Sequence, residues 1–128
     1  MILDTTVLVD LQRELRRGHA GPASRFLATS GETPLFISFV SVMEFAEGFP
    51  DDARDACERF LAPFRVLWPD PDTGWIAARI SRTVGAAGRP IGDHDVWIAA
   101  LALQHDRTVV SRNQEHFRRV PGLSYRGY

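Results

Sequence analysis

A short apolar run that ends in a carboxylate and passes straight into a helix constrains this chain more than any other feature. Met1, Ile2 and Leu3 are apolar, Asp4 is acidic, Thr5 and Thr6 follow, and Val7, Leu8, Leu11 and Leu15 then recur at helical spacing. An apolar run bounded by polar turn formers fits a buried parallel strand. Threonines ahead of a 3.6-residue period fit a helix start. Asp4 is therefore expected at the carboxyl end of a strand, the end at which open α/β sheets bind ligands. The same residue also suits a plain turn or capping role.

The alternation continues along the chain. A helix is expected over 6–17 with Gly18 as its stop, and a short helix over 23–29 behind the Gly21-Pro22 turn. Strands are expected over 35–39, 64–68 and 108–111, with a last short one over 123–125. Helices are expected over 52–61 and from an Asp72 cap to Gly88. A further helix over 93–104, with Asp93 as its cap, is apolar almost all round and so central. A short helix starts at Arg112. Strands alternating with helices imply a single domain over 1–128, a three-layer α/β/α sandwich with a mainly parallel central sheet.

Three acids share a placement in this scheme. Asp4 ends a strand, while Glu44 and Asp95 fall in the first turns of helices entered from the same edge of the sheet. Ser41-Val42-Met43-Glu44 is a capping-box pattern, in which Ser41 and Glu44 bond reciprocally. The position suits a cap or a metal ligand, and the helix dipole keeps an acid there ionised. Asn113 follows the 108–111 strand at the same edge. Two like charges about 4 Å apart repel by roughly 4 kcal/mol at an effective dielectric of about 20. Acids gathered into one crevice therefore call for a cation, and oxygen ligands without His or Cys suit Mg²⁺ or Mn²⁺.

Composition narrows the class. The net charge is −1, which argues against a protein-wide electrostatic grip on nucleic acid but leaves room for a local patch. All 15 basic residues are arginine, a side chain suited to phosphate; Arg13, Arg89 and Arg112 are candidate contacts, with codon bias and solvated surface arginine as the alternatives. Cys57 cannot form an internal disulfide and reads as a small buried hydrophobe. No run is long enough to span a bilayer. The chain starts directly on a core strand with no secretory n- and h-region, so a cytoplasmic protein is expected.

The segments ILDTTVLVDL, SVMEFAEG, IGDHDVWIAALAL and VVSRNQEHF with PGLSY resemble, in that order over the whole chain, the PIN-domain ribonucleases, and more narrowly the VapC-type toxins of toxin–antitoxin pairs. The resemblance implies a metal-dependent endoribonuclease in which Asp4, Glu44 and Asp95 are the catalytic and metal-binding acids. Thr6 falls at the position that supports the first acid, and Gly92 at the turn before the third acid's helix. Asn113 falls where many members carry a fourth acid, and Asp93 lies beside the motif as a cap with a lesser claim on metal. His94 occupies a variable position without a catalytic role. The implied cofactor is Mg²⁺, for which Mn²⁺ can substitute. The implied partners are an RNA substrate, a cognate antitoxin and a second copy in a homodimer, without a membrane. Trp75, Trp97, Phe45 and Phe49 are candidates for the antitoxin groove, with ordinary core packing as the alternative for each.

Two rival readings stand beside this one. A catalytically inactive PIN-like scaffold serving only as a binding module is compatible with the neutral Asn113. Asp4-Thr5-Thr6-Val7 is also similar to the opening of haloacid dehalogenase-type phosphatases. That motif requires a second acid two residues after the first, where this chain has Thr6.

Overall fold

The computed structural model describes residues 1–128. Its centre is β1 (Ile2–Leu3), flanked by β2 (Phe36–Ser38) on one side and β4 (Val109–Val110) on the other. β3 (Arg65–Leu67) lies outside β2, and β5 (Tyr125–Arg126) outside β4, giving the order β3-β2-β1-β4-β5. All four pairings are parallel; Ile2 pairs with Phe36 and Val109, and Leu3 with Ile37 and Val110. The chain steps outward from β1 through β2 to β3, then crosses back to lay β4 on the opposite side of β1. The β1/β4 gap is thus the point where strand order reverses, and open α/β sheets form a ligand crevice at the carboxyl ends of strands there.

Successive residues of a strand face opposite sides of a sheet. Ile2 and Val109 pack into a core with α5 (Pro71–Ala86), α6 (Asp93–Gln104) and α7 (Gln114–Phe117). Leu3 and Val110 pack into a second core with α1 (Thr5–Arg17), α2 (Pro22–Thr29), α3 (Phe39–Ala46) and α4 (Arg54–Leu61). These two layers with the sheet between them are the three-layer arrangement expected from the sequence. α6 is central as anticipated: Ile98 to Ala102 are wholly buried, and its alanines let α5 approach closely. Gly18 terminates α1 in the left-handed region, φ 67°, where its amide bonds back to Glu14 and Leu15. Leu15 is 61% exposed, so the apolar stripe of α1 gives out before its last turn.

Several helix starts differ from expectation. Asp70, not Asp72, caps α5: its carboxylate accepts from the Thr73 amide while Thr73 Oγ1 accepts from the Asp70 amide. Asp72 lies inside the first turn, where acids are favoured without capping. Gly92, not Asp93, caps α6, because the extended backbone runs one residue less far than expected. The 52–61 helix is divided into a 3₁₀ turn at Asp51–Ala53 followed by α4. Cys57 is buried, and burial pushes its thiol up, as suits a packing residue. No helix is long and apolar enough to cross a membrane.

Candidate active site

Asp4 leaves β1 at its carboxyl end, with its amide still in the ladder to the Val110 carbonyl, 2.9 Å. It is also the cap of α1: Oδ1 accepts from the Thr5 amide at 2.7 Å. Oδ2 accepts from Ser111 Oγ at 2.6 Å and from Thr6 Oγ1 at 2.9 Å. Ser111 stands at the corresponding end of β4 and also accepts from the Asn113 amide, 2.8 Å. The two strands beside the topological reversal thus supply an acid and the hydroxyl that orients it. Asp4 is only 4% exposed. Burial pushes its carboxyl above the ordinary range and nearby Asp95 adds to the rise; the bonds from Ser111, Thr6 and Thr5 oppose it without cancelling it.

Glu44 reaches the same edge from α3, by a route the sequence did not suggest. α3 begins three residues earlier than the capping-box pattern implied. Its cap is Ser38, whose Oγ accepts from the Ser41 amide at 3.0 Å, so Ser41 lies inside the helix. Ser38 and Ser41 are both fully buried and their hydroxyls are 3.1 Å apart. An enclosed hydroxyl pair is satisfied by the helix start itself, and this outweighs the exposed Ser-x-x-Glu alternative. Glu44 therefore sits beyond the first turn, which contains no acid, and neither caps the helix nor draws on its dipole. Its oxygens are held from other elements: Thr5 Oγ1 donates to Oε2, and His94 Nδ1 lies 2.5 Å from Oε1.

Asp95 lies in the first turn of α6 as anticipated. Its Oδ2 is 2.6 Å from His116 Nδ1 on α7. Asn113 is exposed and contacts neither Asp4 nor Asp95; its side-chain nitrogen lies 3.0 Å from the same His116 nitrogen that faces Asp95. Asp93 is exposed at the first position of α6 and shares with Glu44, His94 and Asp95 the lining of an open cavity of about 300 Å³. Arg112 lies beside the site, its amide donating to Thr6 Oγ1 at 3.2 Å and its guanidinium bound to Asp10 at 2.8 Å. Arg13 is 3.6 Å from Asp10, further along α1, while Arg89 is exposed between α5 and α6.

The three acids thus share one edge, each held by partners from other elements. No three His, Cys, Asp or Glu side chains form a metal-binding cluster. Asp4 and Asp95 feel one another electrostatically, while Glu44 is turned toward Thr5 and His94. Each acid is occupied by hydroxyl or imidazole partners lying 2 to 107 residues away in sequence. Thr5, His94, Ser111 and His116 were not foreseen as site residues. Ser111 alone carried a signal, a hydroxyl ending an apolar strand at the edge where Asp4 ends its own. The donors still fit a hard divalent cation chemically: carboxylate oxygens, one of them buried beside a second acid without a full counter-charge.

The aromatic residues expected to form a docking groove are divided. Phe45 is buried and stacks on Phe60, while Trp97 is half-buried and packs edge-on against Phe39. Trp75 is 72% exposed on α5, whereas Phe49 lines a cavity between α3 and α4 in the opposite layer. They form no common surface.

An all-parallel α/β sheet with acids gathered at its topological reversal defines a class of edge-site α/β domains. The chain belongs to the PIN domain family, whose profile matches residues 1–123. It is 25% identical to ribonuclease VapC1 of Haemophilus influenzae, over 99% of this chain and 96% of that protein. It is 28% identical to the tRNA(fMet)-specific endonuclease VapC of Shigella flexneri, over 95% and 92% respectively. The solved structure of VapBC2 from Rickettsia felis, bound to a DNA fragment from their promoter, superimposes with a TM-score of 0.83 at 19% identity. That match covers 99% of this chain and 97% of the other, and speaks to the fold.

Proposed function

We propose that this chain is the toxin of a toxin–antitoxin pair, an endoribonuclease that hydrolyses RNA phosphodiester bonds with a divalent cation at the β1/β4 edge. The observation that carries the reading is Asp4: a carboxylate buried beside Asp95, held in a fixed orientation by Ser111 and Thr6, at an energetic cost that packing alone does not require. Whole-length likeness to proteins named ribonuclease and endonuclease VapC supports the chemistry, and solved VapBC assemblies of the same fold support an antitoxin partner. A homodimer belongs to the same proposal.

Asp4 and Asp95, with Glu44, would hold the cation, Mg²⁺ or Mn²⁺. When bound, such an ion stabilises charge on a phosphate oxygen and acidifies a water. Glu44 accepts the proton of the attacking water. Thr5 and His94, on its two oxygens, fix the direction from which it does so. His116 orients Asp95 in the same manner. Water oxygen bonds to phosphorus in line as the P–O3′ bond breaks, leaving a 5′-phosphate and, after protonation from solvent, a 3′-hydroxyl. Asn113 stands beside His116 without a ligand role, and Asp93 remains at the rim.

The test is cleavage of defined RNAs with Mg²⁺ or Mn²⁺ and with chelator, by wild type and by Glu44→Gln. Loss of a general base typically costs 10²–10⁴-fold in rate, and Glu44→Gln is expected to fold normally and lose about that much. Equal cleavage by the variant removes Glu44 from the mechanism; binding of RNA without cleavage by wild type favours the inactive-scaffold reading.

A further inference from the structure

We propose that the cavity beside α1, walled by Arg13, Arg17 and Arg112, is a second phosphate subsite that holds the RNA backbone next to the bond being cut; the proposal rests on the endoribonuclease reading. The cavity has a volume of about 630 Å³ and opens between α1, the start of α2 and the end of the chain. Three guanidiniums face it against two carboxylates, in a protein whose net charge is −1. The three guanidiniums exceed the two carboxylates by one charge, and each carboxylate is held in place by neighbouring groups. Glu14 accepts from the Ala23 amide, the Ser24 amide and Ser24 Oγ, and so ties α1 to α2. Asp10 accepts from Arg112 Nη1 and from Tyr128 Oη, at 2.8 and 2.7 Å, and holds the Arg112 fork at the cavity wall. Arg17 makes no ion pair, and Arg13 has only the long approach to an Asp10 already occupied.

Arg112 links the cavity to the catalytic edge. Arg112 follows Ser111 directly, and its amide donates to the Thr6 hydroxyl that in turn donates to Asp4. On α1, Thr6, Asp10, Arg13 and Arg17 recur at spacings of four, three and four, which puts them on one face leading away from Asp4. Thr6 and Arg13 are about 10 Å apart along the helix axis. That is within the reach of neighbouring phosphates on a single strand whose scissile phosphate lies at Asp4. Arginine forks suit phosphate oxygens, and such bonds set affinity and register rather than sequence preference.

The experiment compares wild type with Arg13→Gln/Arg17→Gln and with a control of equal charge change on the outer face of α5, Arg79→Gln/Arg82→Gln. All four positions are exposed, and Gln keeps helix propensity. Steady-state cleavage is measured on an RNA of about 20 nucleotides and on a dinucleotide, at about 50 to 200 mM salt. The α1 pair is expected to raise KM for the long RNA roughly tenfold with kcat within about twofold, to reduce the salt slope by about 0.7 for each phosphate no longer neutralised, and to leave the dinucleotide unaffected. The control should match wild type. A KM no different from the control overturns the subsite while leaving the endoribonuclease reading intact. So does an unchanged RNA curve with a weakened antitoxin complex, which assigns the cavity to an acidic peptide. Failure of wild type to cut any RNA overturns both.

Discussion

Asp4 joins two duties that conflict energetically. As the cap of α1 it stabilises the fold, and as a buried carboxylate beside Asp95 it opposes it. A folded-state pKa above the unfolded value contributes stability that is fully present below the unfolded value and lost as pH rises through the folded one. Asp4→Asn keeps an oxygen for the Thr5 amide, and both hydroxyl partners can turn to accept. It is therefore expected to raise the melting temperature in metal-free buffer, least at acid pH and most near neutrality, while abolishing cleavage. Calorimetry of both proteins between about pH 4 and 8 checks the sign; about 1 kcal/mol corresponds to roughly 4 °C at this size. Ser111→Ala acts oppositely. It removes a donor from the buried carboxylate and an acceptor from the Asn113 amide. A loss of about 1–3 kcal/mol in urea unfolding is expected, with a large fall in rate. The individual acids were legible in the chain, since an apolar run ending in Asp and a helix opening on Asp95 are local patterns. Their partners were not: Thr5 to Glu44, His94 to Glu44 and Ser111 to Asp4 join residues 39, 50 and 107 apart, and no local spacing encodes such pairings.

At the level of elements, alternation and order were legible because most strands fall in short, largely apolar runs and several helices carry their own stop or cap. The boundaries were less so. β1 and β4 contain two residues each, so side-chain alternation has almost no length over which to declare itself. α3 shows the consequence. Two serines three residues apart could each open the helix, and the choice depends on burial of the Ser38–Ser41 pair beneath the sheet edge. Moving the start moves Glu44 from the first turn to a position where it faces Thr5 and His94. The assignment is testable: Ser38→Ala should cost about 1 kcal/mol or more as a lost cap. Glu44→Gln should leave unfolding within about 0.5 kcal/mol of wild type, as for substitutions away from structural features. A Glu44→Gln protein destabilised as much as Ser38→Ala would return Glu44 to a capping role.

For the whole molecule, the parallel sheet explains why acids from the first, third and sixth helices meet at one edge. All strands point the same way, so every crossover begins on that side, and the reversal at β1/β4 opens the crevice there. Opposed carboxylates, buried on one side and held by imidazoles on the other, leave a charge imbalance that a divalent ion would relieve. A ligand that binds only the folded state stabilises it in proportion to the logarithm of its concentration over Kd. Calorimetric titration of Mn²⁺ into wild type and into Asp4→Asn is therefore the most direct test of the central claim. Saturable binding by wild type that is lost in the folded variant is the predicted result. Identical isotherms for the two proteins, or none for either, would contradict it.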